Sequence, residues 1–307
     1  MAVEKLKTGK GGRMKHAPFV SVGIPFLNPG PYLDLAVRSV FAQTYPNWEL
    51  ILVDDGSTDG SYERATAIQD PRVRVLRDGQ NKGLPARLNE IVRLAKGELV
   101  ARMDADDAMH PLRLEKQVGL LQANPELDGV TTGAYLIDAE DKPVALLPGR
   151  QPSAQEVLAR GGFLHPSLLA HKAWFEAHPY SLDYPRAEDR ELFVRTFKTS
   201  RLHVLPEPFY FYRWFGVPRG KALRTGYRNE RKIIWRYGPE LVGLAQTLSL
   251  LALSKGKEVA SLLAEKVGLE NRFSRRRRFA TLTQDQYKDA LSALEAIKAT
   301  PVPGWEH

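Results

Sequence analysis

From Phe19 to Asp107, short apolar runs alternate with polar turns and with segments of helical periodicity. Phe19–Phe26 (FVSVGIPF) is β-branched and apolar, which predicts a buried first strand ending in the turn Leu27-Asn28-Pro29-Gly30. Pro31 suits a helix start, and Tyr32, Leu35, Ala36 and Val40 then share one face. Trp48–Val53 reads as a second strand, running into Asp54-Asp55-Gly56-Ser57-Thr58-Asp59 and a helix over Ser61–Gln69. Val73–Leu76 reads as a third strand, Pro85–Ala95 as a helix and Leu99–Asp104 as a fourth strand. Strands alternating with helices predict an α/β fold with a doubly wound, mostly parallel, Rossmann-like sheet. The first, second and fourth strands end in polar turns at one sheet edge, where such folds take nucleotides.

Beyond Pro111 the pattern changes. PLRLEKQVGLLQ opens a helix, and Gly129–Ile137 with Lys142–Leu147 predicts a hairpin around Asp138–Asp141. Gly161–His171 reads as a loop with His165-Pro166 followed by a strand. Glu188-Asp189 precedes a helix with Leu192, Phe193, Thr196 and Phe197 on one face. Leu202–Leu205 and Pro208–Phe215 read as strands, and helices follow over Tyr227–Tyr237, Glu240–Leu253, Lys257–Val267 and Gln284–Lys298.

The stretch LVARMDADDAMHP at Leu99–Pro111 carries the most specific chemistry. It delivers Asp104, Asp106 and Asp107 at the end of a buried strand. Carboxylates one residue apart can hold a hard divalent cation and leave positions for a substrate's phosphates. Spacing alone equally fits a solvated turn that caps a helix. An EF-hand loop is disfavoured: Asp104, Asp106 and Glu115 match its first, third and twelfth positions, but Met109 stands where its turn glycine belongs. Glu188-Asp189 likewise reads either as catalytic acids or as dipole partners of the helix they open.

Composition narrows the classes. The 307 residues carry a formal charge of +8, with an isoelectric point near 9.5, which suits anionic partners. There is no cysteine, so disulfides and thiolate metal sites are excluded. No window reaches the roughly 20 apolar residues of a spanning helix. An oxidoreductase would need G-x-G-x-x-G after the first strand, where FLNPG stands. Two further alternatives are a sugar nucleotidylyltransferase, whose Gly-rich, Arg-containing first loop is absent, and a basic nucleic-acid-binding α/β protein, against which the acidic strand ends argue.

Five stretches carry a resemblance: VSVGIPFLN at Val20–Asn28, SVFAQTYPNWELILVDDGSTDGS at Ser39–Ser61, NKGLPARLNEIVRLAKGELVARMDADD at Asn81–Asp107, HPSLLAHKAWF at His165–Phe175 and AEDRELFVR at Ala187–Arg195. In this order they resemble the inverting glycosyltransferases of family 2, with the GT-A fold. The resemblance implies transfer of a sugar from a nucleoside diphosphate donor, UDP by expectation, to a saccharide or lipid-linked hydroxyl acceptor in cell-surface polysaccharide, lipopolysaccharide or other glycoconjugate synthesis. It implies that Asp55 accepts the N3–H of the base, that Pro25 contacts the nucleoside, that Asp104 and Asp106 form the DxD, and that Asp189 is the catalytic base. Asp104 then holds either the metal or the ribose hydroxyls, and Asp107 is either a further ligand of Mg²⁺ or Mn²⁺ beside Asp104 and Asp106 or a partner that supports them from behind. One departure stands out: Tyr212-Arg213 is followed by Trp214-Phe215-Gly216, without the His that many relatives have. Arg213, Arg219 and Lys221 read either as diphosphate ligands or as a solvated basic loop.

The expected organisation is a flexible basic tail over residues 1–17, a GT-A domain over 18–225 and a helical extension over 226–307. The domain divides into a nucleotide-binding half, 18–110, and an acceptor and catalytic half, 111–225. The expected location is cytoplasmic, with no nucleic-acid partner, and the Arg275–Arg278 run reads either as a solvated surface or as a peripheral contact with anionic lipid at the inner face of the membrane.

Overall fold

The computed structural model of the chain describes residues 17–215, 220–266 and 279–305. The tail up to residue 16, Arg219 and the Arg275–Arg278 run lie outside the described residues. Every residue of β1 (Val20–Phe26) and β2 (Trp48–Asp54) is buried, as expected of parallel strands covered on both faces. β3 (Val73–Arg77) borders β2, and β4 (Leu99–Arg102) borders β1 on its other side, all parallel. Alternate residues of β2 feed two cores. Leu50 and Leu52 pack with Leu33, Val37 and Val40 of α1 (Tyr32–Phe41) and Val118 of α4 (Arg113–Ala123). Ile51 and Val53 pack with Leu88 and Ile91 of α3 (Leu84–Leu94) on the opposite face. The period-2 alternation of a strand thus fills both layers. A short helix, α2 (Ser61–Thr66), links β2 to β3.

The large sheet has seven strands. Its order is β10 (Leu202–Leu205), β6 (Gly129–Thr132), β9 (Leu169–His171), β4, β1, β2, β3, and β9 runs against both neighbours. The winding reverses between β1 and β4, which opens a crevice outside their carboxyl ends. A second, four-stranded sheet has the order β5 (Ala108–Met109), β11 (Tyr210–Arg213), β7 (Ala134–Ile137), β8 (Pro143–Leu147).

The strand expected over Gly129–Ile137 is therefore two, β6 in one sheet and β7 in the other. The chain bends at Gly133, where a Cβ would sit 2.7 Å from the Gly149 nitrogen and 3.0 Å from the Pro206 oxygen. Only β7 pairs with β8 as a hairpin around Asp138–Asp141. Similarly, the run expected as one strand up to Asp104 ends at Arg102, and Ala108–Met109 belongs to the second sheet. The acidic turn bridges the two sheets.

Two helices precede the second acidic pair, α5 (Ala154–Arg160) and α6 (Lys172–Ala177), and that pair opens α7 (Glu188–Thr196). The C-terminal helices differ from their expected limits: α8 covers Gly220–Val242 and α9 covers Leu244–Lys266. The helix continues through Pro239 and breaks at Gly243, whose φ of +82° suits glycine. α10 (Gln284–Ala299) starts with a capping box at Thr283 and Gln286. Its Ala290, Leu294 and Ile297 pack against Tyr135, Ile137 and Phe211 of the second sheet. Beyond it, Trp305 is buried, donates from Nε1 to the Arg64 carbonyl at 2.9 Å and lies under the Arg64 guanidinium at 4.0 Å. The last described residues thus close over α1 and α2.

Candidate active site

The acidic turn is positioned by alternation. Met103 and Ala105 are buried, while Asp104 and Asp106 line a cleft of about 370 Å³ with Pro25, Asn28, Tyr32 and Phe215. The cleft lies at the β1/β4 crevice. Arg102, buried in β4, clamps the Asp104 carboxylate, with one bond of 2.8 Å to Oδ2. Asp107 points inward and is buried. Its Oδ2 accepts from the Tyr210 hydroxyl at 2.9 Å, and its Oδ1 accepts from the Arg213 backbone N–H at 2.7 Å.

Arg213 is neither a solvated basic loop nor a cleft residue. Its side chain is fully buried; Nε donates to the Asp106 carbonyl at 2.7 Å, and other nitrogens donate to the Asp138 carbonyl and, at 2.6 Å, to Asp141. The guanidinium lies 4.3 Å from the Tyr32 ring. Asp141 also pairs with Lys298 of α10 at 2.8 Å. The C-terminal helix is thereby connected through Asp141 and Arg213 to the acidic turn. The Lys221 side chain lies outside the described residues.

Asp104, Asp106 and Asp107 each bring a carboxylate oxygen within 4.8 Å of the others. Burial and the neighbouring Asp104 charge push the Asp106 carboxyl up to about 6, and burial holds Asp107 well above the carboxylate range. Mutually repelling hard oxygen donors fit a divalent cation such as Mg²⁺ or Mn²⁺. Glu115, the last position of the rejected EF-hand loop, instead accepts from Thr44 Oγ1 at 2.8 Å on α4.

At the carboxyl ends of β1 and β2, the loops that follow are stitched together: Asn28 N–H donates to Ser57 Oγ and Thr58 N–H to Asn28 Oδ1. Asp55 is buried, and its carboxylate accepts from the backbone N–H groups of Lys82 and Gly83 at 2.7 and 3.0 Å and from Arg87 Nε at 2.8 Å. Asp55 therefore holds the 82–83 loop, and Pro25 lines the cleft beside it in the sheet.

The second acidic pair opens α7. Asp189 is half-buried, with Oδ1 accepting from the Arg190 backbone N–H at 2.7 Å. Glu188 is buried and, among the described residues, its Oε2 has no hydrogen-bond partner. Burial, the Asp189 charge and the Asp104 charge push Glu188 up to about 7. The two acidic groups, more than eighty residues apart in sequence, therefore share one electrostatic environment. α8 braces this end: Arg190 pairs with Glu230 at 2.8 Å, and Asn229 donates to the Pro185 carbonyl at 2.6 Å. His165 is buried, and its Nε2 meets the Tyr180 hydroxyl at 2.8 Å, which satisfies the ring.

A raised carboxyl costs stability once it ionises. Folded Glu188 binds its proton up to about pH 7, whereas an unfolded glutamate loses it near its ordinary value, so this group's contribution falls as pH rises between the two. Glu188→Gln is expected to flatten that fall and raise stability at pH 7.5 by about 1–3 kcal/mol. Urea unfolding at pH 5 and 7.5 checks it; an unchanged difference between the two pH values would contradict the buried, ionisable assignment.

Sequence reasoning did not single out Arg102, Tyr210 or Asp141 as structural partners of the acids. Arg102 had a signal, a lone charge ending an otherwise apolar strand. Tyr210 and Asp141 had none, because their partners are distant in sequence.

The chain is similar to known proteins. The chain is 33% identical over 210 residues to the putative glycosyltransferase EpsE of Bacillus subtilis, covering 65% of this chain and 74% of EpsE. Three other curated relatives are longer, and the matched region spans 16% to 38% of them. Among solved structures, residues 1–349 of Staphylococcus aureus TarS in complex with UDP-GlcNAc superpose with a TM-score of 0.59 at 18% identity, covering 92% of this chain and 82% of that one. The mannosyltransferase PcManGT of Pyrobaculum calidifontis, in complex with GDP-Man and Mn²⁺, gives 0.54 at 19% identity, covering 93% and 86%. These likenesses support the GT-A-like α/β fold expected from the sequence. The profile of glycosyl transferase family 2 matches residues 21–182, and the chain belongs to that family.

Proposed function

We propose that the protein transfers a sugar from a UDP-sugar to a hydroxyl of a saccharide or lipid-linked acceptor, with inversion at the anomeric carbon. The observation that carries this reading is the convergence of Pro25, Asp104 and Asp106 on one cleft at the sheet's switch point, with Glu188-Asp189 in electrostatic reach of Asp104. In this reading Asp189 takes the proton as the acceptor oxygen bonds to the anomeric carbon. The bond from that carbon to the diphosphate breaks on the opposite face, and the nucleoside diphosphate leaves. No enzyme nucleophile is required, as in the inverting logic of glycoside chemistry. Asp106, with Asp104 and Asp107, is the set that would hold Mg²⁺ or Mn²⁺, whose chemistry is to neutralise charge on the departing diphosphate. Asp55 and Pro25 serve the base and nucleoside, Asp55 also through the loop it anchors.

Residues 18–110 form the donor half in this reading, 111–225 the acceptor half and 226–307 a helical extension. The acceptor belongs to a cell-surface polysaccharide, lipopolysaccharide or related glycoconjugate, and the reaction is cytoplasmic. Uridine is favoured over guanosine because Asp55 follows the acidic end of β2 in the position the family uses for a uracil-like N3–H; the TarS complex with UDP-GlcNAc supports it, and the GDP-Man complex of PcManGT names the alternative.

Titration calorimetry with UDP, UDP-GlcNAc and GDP-Man, each with Mn²⁺ and with EDTA, tests this. The expected result is uridine binding that weakens in EDTA, and Asp106→Ala that removes the metal dependence. Equal affinity with Mn²⁺ and EDTA would overturn the metal assignment, and tighter binding of GDP-Man would overturn the uridine assignment.

A further inference from the structure

Helix α9 is apolar on two opposite sides. Its inner side, with Thr247, Leu250 and Ser254 buried, packs on α8. Its outer side exposes Leu244, Leu248, Val259 and Leu263, each more than 40% accessible. Steps of four, eleven and four residues keep these side chains in one stripe at 3.6 residues per turn. Single exposed leucines are ordinary on a protein surface, but an ordered row along one long helix marks a contact surface.

Charge identifies what that surface meets. The described helices α8 and α9, residues 220–266, hold 9 Lys and Arg against 4 Asp and Glu, a net +5 in a chain of net +8. Positive charge therefore accompanies the two helices that carry the apolar stripe. On α8, Arg228, Lys232 and Trp235 are exposed on the side away from its buried Ile233, and Trp235 is 61% accessible. Lys255 stands within the α9 stripe, exposed and paired with Glu258 at 2.7 Å. Aliphatic side chains that enter the acyl boundary, an interfacial tryptophan and surrounding Lys and Arg complement an anionic bilayer surface. A second copy of the chain is disfavoured as the occupant, because it would bring two such positive faces together. Spanning is not implied: among the described residues no helix is long and apolar enough to cross a membrane.

We propose that the outer face of α9, with the basic outer side of α8, docks the enzyme peripherally on an anionic lipid surface. None of the cleft residues takes part, so this stands or falls separately from the donor reading.

Flotation of the full chain with vesicles of phosphatidylcholine alone, and of phosphatidylcholine with phosphatidylglycerol, tests it. The wild type is expected to float with the anionic vesicles about tenfold more than with the neutral ones, and less so at high salt. Leu248→Glu/Leu263→Glu, both at exposed positions, is expected to lose about tenfold of that binding while keeping its circular dichroism and its UDP affinity. Arg228→Glu/Lys232→Glu is expected to lose binding selectively on anionic vesicles. Equal flotation with both vesicle types would overturn the proposal, and so would a leucine variant that floats like the wild type. A dimer by light scattering that the leucine variant makes monomeric would also overturn it, showing a second copy as the occupant.

Discussion

Asp189→Asn is expected to slow sugar transfer by about 10²-fold or more while leaving donor affinity within a few-fold. Asparagine keeps the shape and still accepts from the Arg190 backbone N–H, so the helix start is preserved. What disappears is the carboxylate that would take the acceptor's proton, and a general base contributes about 10²–10⁴-fold to such a step. In the proposed reading donor binding is carried by the carboxyl ends of β1, β2 and β4, which Asp189 does not form. Glu188→Gln is the control. It removes a buried carboxyl with an unpartnered oxygen and should keep most of the transfer rate. Initial rates by UDP release, with UDP affinity by calorimetry, separate the two. The assignment fails if Asp189→Asn transfers at near-normal rate while Glu188→Gln abolishes it, and equally if donor affinity falls in step with rate.

Arg213→Met is expected to cost about 3–5 kcal/mol of stability, the price of breaking a buried charged network. The guanidinium satisfies the Asp106 and Asp138 carbonyls and the Asp141 carboxylate from a fully buried position. Methionine fills much of the volume but withdraws a charged donor from all three acceptors, of which the Asp138 carbonyl keeps the Asp141 N–H and the Asp141 carboxylate keeps Lys298; each lost charge-assisted bond costs about 1.5–3 kcal/mol. Because Arg213 grips the backbone of the acidic turn, Mn²⁺-dependent UDP binding should weaken as well. Lys298→Met removes only the outer partner of Asp141, which is itself half-exposed, and should cost under about 1 kcal/mol. Urea midpoints and calorimetry check both. An Arg213→Met variant as stable as the wild type would mean that sheet pairing alone holds the turn.

Apolar periodicity and turn residues act locally, so the alternation of strands and helices, the mostly parallel sheet and the acids at its carboxyl edge were legible in the chain. VSVGIPF, WELILVD and LVAR are buried at every position, as their mostly apolar runs predict, with Ser21, Glu49, Asp54 and Arg102 buried among them. The family was legible too, since its motifs are contiguous stretches. The tertiary structure decided which charges are interior. Asp107 and Arg213 look like surface residues in the chain, yet the Asp107 carboxylate is met by the Tyr210 hydroxyl and by the Arg213 backbone N–H 106 residues away, and the Arg213 guanidinium by the Asp106 and Asp138 carbonyls and Asp141; these partners let each be buried. It also divided Gly129–Ile137 between two sheets, because the backbone approaches at Gly133 come from Gly149 and Pro206 rather than from sequence neighbours. The bridge from Lys298 through Asp141 to Arg213 joins the C-terminal helix to the acidic turn in the same way. A local pattern reports which side of an element is apolar; which polar group can afford to lose water depends on partners that only the folded chain assembles.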